Sequence, residues 1–311
     1  MKKRLFSLLL VGLLLCSVIG CGSSSPIRED DKLNILATTY PIYLLTRSVT
    51  EGVENVEVSL LVNEQTSCLH DYTLTVNDMK AIEKADIIVK NGVGFEEFMS
   101  DALTHTKAQV IDCSDGLELL PSTGHHDHDH GHNHSHETEG EHFDPHYWLD
   151  PANALFMMGT ISVHLSQLLP EEEAALYTAY DTAVEKLEYA RQGWQAQFHA
   201  LSGRHIITFH DGFQYFAHAY GIEILKAIEE EEGAEASAAE IKEIVSLIRE
   251  HDVPVLFVEQ NGSDSTARAI ARETGVTVYP LDMIMSGTGN DIQAYIDAMT
   301  ANLQTVLEAF T

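Results

Sequence analysis

Short apolar runs alternate with amphipathic segments over most of the chain, and this pattern predicts the fold class. Apolar runs of strand length predict strands at 33–38, 56–62, 87–89, 109–112, 205–209, 253–258 and 276–281. Apolar residues spaced three or four apart predict helices at 43–50, 79–85, 95–103, 155–168, 213–220, 237–248, 264–274 and 291–310. Because strands that alternate with helices form parallel sheets covered by helices, we expect an α/β protein.

A long amphipathic segment divides this pattern into two similar halves. Its apolar residues recur at steps of three and four from Leu176 to Leu201, after a helix that ends near Pro170. We therefore expect an N-terminal lobe at 33–170, a rigid linking helix at 171–202 and a C-terminal lobe at 203–311. Each lobe would hold one parallel sheet flanked by helices. The alternative is a lone helix packed on a single domain.

The N-terminal residues resemble a secretion signal. Lys2-Lys3-Arg4 precedes the apolar run 5–15, which is too short to span a bilayer comfortably. Val18-Ile19-Gly20-Cys21 resembles a bacterial lipobox, so we expect a signal peptide at 1–20, a diacylglyceryl group on Cys21 and a flexible tether at 21–32. This places the protein on the outer face of the bacterial cytoplasmic membrane. A plain secretory signal with an incidental cysteine is the alternative.

Composition narrows the possible partners. The chain has 48 Asp and Glu residues against 18 Lys and Arg, a formal net charge of −30 at pH 7. This balance argues against nucleic acid as a partner, because phosphate backbones are bound by basic residues. Of the four cysteines, only Cys68 and Cys113 would remain unmodified in the mature protein, so no disulfide framework is expected.

Four polar residues occupy corresponding positions after predicted strands. They are His70 after strand 56–62, His146 after strand 109–112 and a long loop, His210 at the end of strand 205–209, and Asp282 at the end of strand 276–281. Because open α/β sheets bind ligands at the carboxyl ends of their strands, we expect all four to face one interlobe cleft. Three imidazoles and one carboxylate make a complete tetrahedral set for zinc. Any one histidine alone is more often a hydrogen-bonded polar residue than a ligand.

The segments around these residues resemble the metal-binding lipoproteins of zinc and manganese ABC importers. They are Leu69-His70-Asp71-Tyr72, Asp144-Pro145-His146-Tyr147-Trp148-Leu149-Asp150-Pro151, Thr208-Phe209-His210-Asp211-Gly212-Phe213 and Pro280-Leu281-Asp282, in the order found in that family. The similarity covers essentially residues 33–311, and the chain looks like the zinc branch, the ZnuA/AdcA-like group. The resemblance implies two lobes bridged by a rigid helix, with metal held between them.

The resemblance also implies a ligand set and a choice of metal. It implies His70, His146 and His210 as ligands and Asp282 as the acidic fourth ligand. Manganese members resemble this pattern but generally carry a carboxylate at the third position, so His210 points to Zn²⁺ rather than Mn²⁺. The family's permease and ATPase would be separate chains.

Two other residues bear on the predicted site. Many relatives carry proline or an acidic residue just before the first ligand, whereas this chain has Cys68-Leu69-His70. Cys68 is therefore an alternative thiolate ligand, a partner for Cys113 or a small packing residue. Glu259, which follows strand 253–258, either supports a ligand histidine from behind or is an ordinary surface carboxylate.

A histidine-rich segment at 125–142 interrupts the N-terminal lobe. It contains eight imidazoles: His125, His126, His128, His130, His132, His134, His136 and His142. The segment is too polar to form a core, and neutral imidazole binds zinc, nickel or copper. We expect an accessory, low-affinity metal collector or occupancy sensor. A solvated linker without a physiological metal role is the alternative.

These features together predict a lipid-anchored monomer that binds Zn²⁺ with high affinity and delivers it to an ABC importer. A manganese-binding protein of the same family and a metal-dependent surface adhesin are alternatives. A zinc hydrolase is disfavoured, because catalytic zinc usually keeps one open position and Asp282 would fill it. No H-E-x-x-H, G-x-S-x-G or Walker A sequence occurs in the chain.

Overall fold

One parallel sheet forms the centre of the N-terminal lobe. In the computed structural model, which describes residues 32–62, 69, 72–122, 142–228, 237–262 and 264–311, this sheet contains β1 (Leu33–Ala37), β2 (Val56–Leu60), β3 (Ile87–Lys90) and β4 (Gln109–Asp112). The strand order is β2-β1-β3-β4, and every pair is parallel. Helices α1 (Tyr40–Val49), α2 (Val76–Lys84) and α3 (Ser100–His105) connect the strands. Because β1 and β3 are central strands, Ile35, Ile88 and Val89 are fully buried.

Two consecutive helices lead out of this lobe. Helix α4 (Pro151–Leu168) is followed by α5 (Glu173–Phe198), and 3₁₀ turns at 170–172 and 199–201 extend α5 at both ends. At 1.5 Å per residue, the 26 residues of α5 span roughly 39 Å. The predicted long helix between the lobes is confirmed.

The C-terminal lobe repeats the first sheet. It contains β5 (His205–Thr208), β6 (Glu223–Ala227), β7 (Val255–Glu259) and β8 (Thr277–Leu281), with helices α6 (Gln214–Tyr220), α7 (Ala238–His251), α8 (Ser265–Thr274) and α9 (Ile292–Ala309). The order β6-β5-β7-β8, again all parallel, matches the order in the N-terminal lobe. The predicted α/β class with one parallel sheet in each lobe is confirmed.

The shared strand order creates a switch point in each sheet. The chain moves to one side from β1 to β2 and then crosses to the other side for β3, and β5, β6 and β7 repeat this course. The carboxyl ends of β1 and β3, and of β5 and β7, therefore flank the crevices in which open α/β sheets bind ligands. The residues at three of these ends are Asn91, which follows β3, His210, which lies just beyond β5, and Glu259, which closes β7.

A single apolar core runs through both lobes. It joins β1 and β3 to α1, α4, α5 and α9 and continues to Phe257 and Leu281 of the second sheet. Polar contacts reinforce this junction, since the indole Nε1 of Trp148 donates to the carbonyl of Met283 at 2.9 Å. The Tyr295 hydroxyl, on α9, donates to the carbonyl of Trp148 at 2.7 Å. A smaller apolar cluster packs the outer helices of the C-terminal lobe.

Several elements differ from the prediction, mostly in their bounds, and three of the differences have a clear local cause. Helix α1 begins at Tyr40 rather than at 43, because Thr39 is extended and Pro41 suits the first turn of a helix. Helix α4 begins at Pro151 rather than at 155, with Asp150 as its N-cap. Strand β6 was not predicted, because it is a partly exposed edge strand whose sequence includes Glu223 and Lys226. Among the described helices, none combines the length and apolarity needed to cross a membrane.

Candidate metal centre

His146 is held by a buried carboxylate two residues earlier in the chain. Asp144 is 1% exposed, and its Oδ1 accepts hydrogen bonds from the His146 backbone N–H at 2.9 Å and from the ring Nδ1 at 2.7 Å. The ring is 3% exposed. Because Nδ1 faces an acceptor, it carries the proton of the neutral ring, and Nε2 presents a lone pair.

His210 has a similar arrangement that depends on two neighbouring strands. It lies two residues beyond β5, and Glu259 is the last residue of β7, which pairs with β5. The ring Nδ1 of His210 lies 3.2 Å from Oε1 of Glu259, a carboxylate that is 8% exposed. A carboxylate beside Nδ1 again favours the proton on that nitrogen and leaves the Nε2 lone pair directed away from it. Glu259 is thus a buried carboxylate behind the His210 ring, and its support of a metal-binding histidine stays a prediction.

The two imidazoles meet through their Nε2 atoms. These atoms lie 3.4 Å apart, and the ring planes are nearly perpendicular, at 83°. If one ring carried its proton on Nε2, its Nδ1 lone pair would face a carboxylate, which is unfavourable. With both protons on Nδ1, two lone pairs are directed toward the same region. The two lone pairs repel each other unless a cation lies between them.

Gly212 leaves room for the ring of His210 and for the methyl end of Met283. A Cβ atom at this position would lie 2.6 Å from Cδ2 of His210 and 2.4 Å from Cε of Met283. Real Cβ contacts are not this short, so any larger residue would displace the imidazole or the methionine. The glycine in His210-Asp211-Gly212 therefore lets these two side chains keep their positions.

Aromatic side chains pack around His146. The ring centroids of Phe95 and Trp148 lie 5.7 and 5.3 Å from the centroid of His146. This packing fixes the ring orientation together with Asp144. It also lowers the local dielectric, which strengthens interactions between a cation and its ligands.

Asp282 is anchored through its backbone rather than through the histidines. The side-chain amide of Asn302, on α9, accepts from the Asp282 N–H and donates to the Asp282 carbonyl, both at 2.7 Å. The carboxylate Oδ1 accepts from the N–H of Ile284 at 2.7 Å. Burial raises the pKa of the Asp282 carboxyl above its ordinary value, and this hydrogen bond opposes the shift.

The structure brings together only part of the predicted ligand set. Across the described part of the chain, no three His, Cys, Asp or Glu side chains are grouped so as to hold a metal ion. His146 and His210 are paired, and Asp282 is not gathered with them. Several candidates lie outside the described residues: His70, Cys68, Cys21, His125, His126, His128, His130, His132, His134 and His136. Their predicted roles stay predictions.

Two remaining candidates are described. Cys113 is a buried free thiol, and burial raises its pKa well above the ordinary value, which disfavours the reactive thiolate. His142 is exposed, and its carbonyl accepts from the N–H of Ser122 at 2.8 Å. Together with the bridge between Pro121 and Phe143, this contact joins the two ends of the histidine-rich segment.

Asp144, behind the ring of His146, is a residue of the candidate site that the sequence pattern did not single out. Its position was visible in Asp-Pro-His, but an acidic residue near a histidine has no unique meaning without the turn that folds it back. The proline between them is the local signal that was available, because it restricts Asp144 to an extended backbone.

Comparison with known proteins identifies the family. Residues 35–309 match the family model described as "ZnuA: Zinc-uptake complex component A periplasmic". The chain belongs to the ZnuA family. The family is described as a component of a zinc-uptake complex and not as an enzyme, in agreement with the expectation that this chain is not an enzyme.

Individual relatives agree with the ZnuA assignment. The chain is 29% identical over 318 residues to the zinc-binding lipoprotein AdcA of Streptococcus pneumoniae. The alignment covers 98% of this chain and 60% of AdcA. The chain thus spans about three fifths of the length of this curated relative. The structure of the Zn(II)-bound ZnuA-like domain of that AdcA is similar with a TM-score of 0.72 and 26% identity, covering 89% of this chain and 98% of the domain.

A second solved structure shows the breadth of the fold. The solute-binding protein FpvC of Pseudomonas aeruginosa, in complex with Mn²⁺, has a TM-score of 0.75 and 24% identity. The match covers 90% of this chain and 98% of FpvC. At this identity the likeness supports the fold and leaves the choice of metal open.

Proposed function

We propose that this chain is a lipid-anchored, extracytoplasmic solute-binding protein that captures Zn²⁺ between its lobes and delivers it to an ABC importer. The observation that carries this proposal is the pair of Nε2 atoms, 3.4 Å apart, with a carboxylate behind each ring. Metal-binding histidines characteristically donate a hydrogen bond from their second ring nitrogen to a carboxylate or carbonyl.

The separation of the two nitrogens fits zinc. Zn–N bonds are about 2.0–2.1 Å long, so two ligands at a tetrahedral angle lie roughly 3.3–3.4 Å apart. The separation of 3.4 Å between the Nε2 atoms of His146 and His210 agrees with this value. One ion would bridge the two lobes and replace the repulsion between the two lone pairs by two coordinate bonds.

The remaining ligands in the proposal are His70 and Asp282. Asp282 directly follows β8 and has a rigid backbone, so rotation of its side chain away from Ile284 is the adjustment required. Its desolvated carboxylate would regain favourable interactions on binding a cation. This proposal predicts small side-chain and loop movements rather than wide closure of the lobes.

Zinc is preferred to manganese because of the donor atoms. Imidazole nitrogen suits zinc, whereas oxygen-rich sites suit manganese. Two of the described candidate ligands are imidazoles, and the AdcA relative is named for zinc. The similarity to the Mn²⁺ complex of FpvC keeps manganese as the competing cargo for the test.

The histidine-rich segment has a separate role in the proposal. Outside residues 125–142, Pro121 pairs with Phe143 and the Leu120 carbonyl accepts from the Asp144 N–H at 2.9 Å, so these contacts remain when the segment is removed. We assign it weak metal collection or occupancy sensing beside the interlobe site. The permease, its ATPase and the lipid anchor at Cys21 complete the proposed import function.

Metal binding tests this proposal directly. The chain from Gly22 and a variant that lacks residues 125–142 would be titrated with Zn²⁺ and Mn²⁺ by calorimetry, with a competing chelator to measure tight zinc binding. We expect one tight zinc site in both proteins, much weaker manganese binding, and loss of weak zinc sites in the deletion variant. Tight manganese binding, or no tight zinc site without the loop, would overturn the assignment.

A further inference from the structure

Asn91 contacts both neighbours of His146. It follows β3 and is fully buried. Its side-chain Nδ2 donates to the carbonyl of Pro145 at 3.0 Å, and its backbone carbonyl accepts from the hydroxyl of Tyr147. Residues on both sides of the histidine are thus attached to one asparagine that lies more than fifty positions earlier in the chain.

A buried carboxylate holds Asn91 in turn. Glu96 is 4% exposed, and its Oε1 accepts from the Asn91 N–H at 2.6 Å and from the Thr38 hydroxyl at 2.7 Å. Its Oε2 accepts from the N–H of Gly92 at 2.9 Å. Thr38 follows β1, so Glu96 ties the ends of the two central strands together.

The position of Gly92 makes this anchor rigid. It has φ of +88°, a left-handed conformation that favours glycine, and a Cβ atom here would lie 2.0 Å from Oδ1 of Asp112. Asn91 therefore stands on a backbone that is held by Glu96 on one side and packed against the end of β4 on the other.

These contacts extend the support of His146 beyond Asp144. Asp144 sets the rotation of the ring and its protonated nitrogen, while Asn91 sets where the backbone of residues 145–147 lies relative to the sheet. We infer that Asn91 is a positioning residue for zinc binding, which holds the His146 turn at the switch point so that Nε2 meets the ring of His210. This inference rests on the proposed function.

The test compares zinc affinity with fold stability in the full chain. Asn91→Asp keeps the shape of the side chain but replaces the amide donor with an oxygen that repels the Pro145 carbonyl. We expect zinc affinity to fall roughly tenfold or more, within the range for outer-shell partners of metal ligands. Tyr147→Phe removes the other contact and should weaken zinc binding by a smaller factor. If Asn91→Asp does not fold, the zinc affinity of Tyr147→Phe tests whether the contacts of Asn91 position His146.

Ser48→Ala is the matched control. Ser48 is 2% exposed in the same lobe, and its hydroxyl donates to the Leu44 carbonyl at 2.6 Å without touching the His146 turn. We expect this change to leave zinc affinity unchanged. If the Asn91 and Tyr147 variants change only the melting temperature and not the zinc affinity, Asn91 is structural and the inference is wrong.

NMR of the metal-free protein separates this inference from the proposed function. The ¹⁵N shifts of the His146 ring report which nitrogen is protonated and how uniformly the ring is placed. We expect one sharp set of signals in the wild type and shifted or broadened signals in Asn91→Asp, whether or not zinc is the cargo. A wild type that binds no zinc would contradict the proposed function, whereas unchanged His146 signals would contradict the role of Asn91.

Discussion

The Nε2 atoms of His146 and His210 face each other at 3.4 Å, although the two residues belong to different lobes. His146 stands on a turn before α4, and His210 stands just beyond β5. Their approach depends on the shared core and on the contacts of Trp148 with Met283 and Tyr295. The lobes thus bring together two proposed ligands that neither lobe supplies alone.

Removal of one imidazole should abolish tight zinc binding. We expect His210→Ala to weaken binding more than the roughly 10- to 100-fold typical of outer-shell changes, because a metal ligand is lost. The measurement is a chelator competition titration at neutral pH. His199→Ala, which removes an exposed imidazole at the end of the linking helix, is the control and should bind as the wild type does. Equal affinity in the two variants would exclude His210 as a ligand.

The carboxylates behind the rings should contribute through charge as well as position. Asp144→Asn and Glu259→Gln keep an acceptor near Nδ1 but remove the negative charge that makes the imidazole a stronger donor. We expect each to weaken zinc binding roughly 10- to 100-fold. Glu223→Gln is a matched control, since that exposed carboxylate lies 3.0 Å from His205 at the far end of the sheet. A similar loss in the control would point to net charge rather than to the site.

Part of the candidate site could be predicted from the sequence because its residues lie at the ends of predicted strands. His210 and Glu259 follow β5 and β7, so parallel pairing alone brings them to one crevice. The role of Asp144 depends on a turn in which one oxygen accepts two bonds from His146, and no periodic pattern encodes that geometry. The role of Asn302 could not be predicted either, because its amide contacts the Asp282 backbone from a helix twenty residues later.

The fold was more predictable than the site for a physical reason. Buried strands such as β3 and β7 have apolar runs that only a covered sheet explains. Strand β6 lacks such a run because it lies at an edge and is held mainly by backbone pairing with β5. Helix starts at Tyr40 and Pro151 depended on caps and prolines that precede the apolar repeat.

Gly212 should be sensitive to a single added methyl group. In Gly212→Ala, the new Cβ would lie 2.6 Å from the His210 ring, so the ring must move. We expect zinc affinity to fall at least roughly tenfold, because ligand sites tolerate only about 0.5 Å of displacement. Gly193→Ala is the control, since nothing lies within 4 Å of a Cβ at that position in α5. It should stabilise the helix by about 0.5–1 kcal/mol and leave zinc binding unchanged. Unaltered affinity in Gly212→Ala would show that the ring has room to move.

The Asp150 cap should make the stability of the metal-free protein depend on pH. Its side chain accepts from the Ala152 N–H at 2.8 Å at the start of α4, and burial raises the pKa of the carboxyl despite that hydrogen bond and the nearby His218 and Arg191. A raised folded-state pKa means that the native protein holds the proton more tightly than the unfolded chain. The resulting contribution to stability is present below the unfolded pKa and is lost as pH rises through the folded pKa.

Asp150→Asn tests this sign, because asparagine keeps the capping oxygen and has no proton to lose. Urea denaturation in the presence of a chelator, from about pH 4 to neutral pH, should show a shallower decline in unfolding free energy with rising pH than in the wild type. Asp264→Asn is the opposite case, since its hydrogen bond with Arg268 lowers the pKa of the Asp264 carboxyl. That pair is largely exposed and screened, so its effect should be small and opposite in sign. If Asp150→Asn leaves the pH profile unchanged, burial of this carboxyl does not make the stability of the metal-free protein depend on pH.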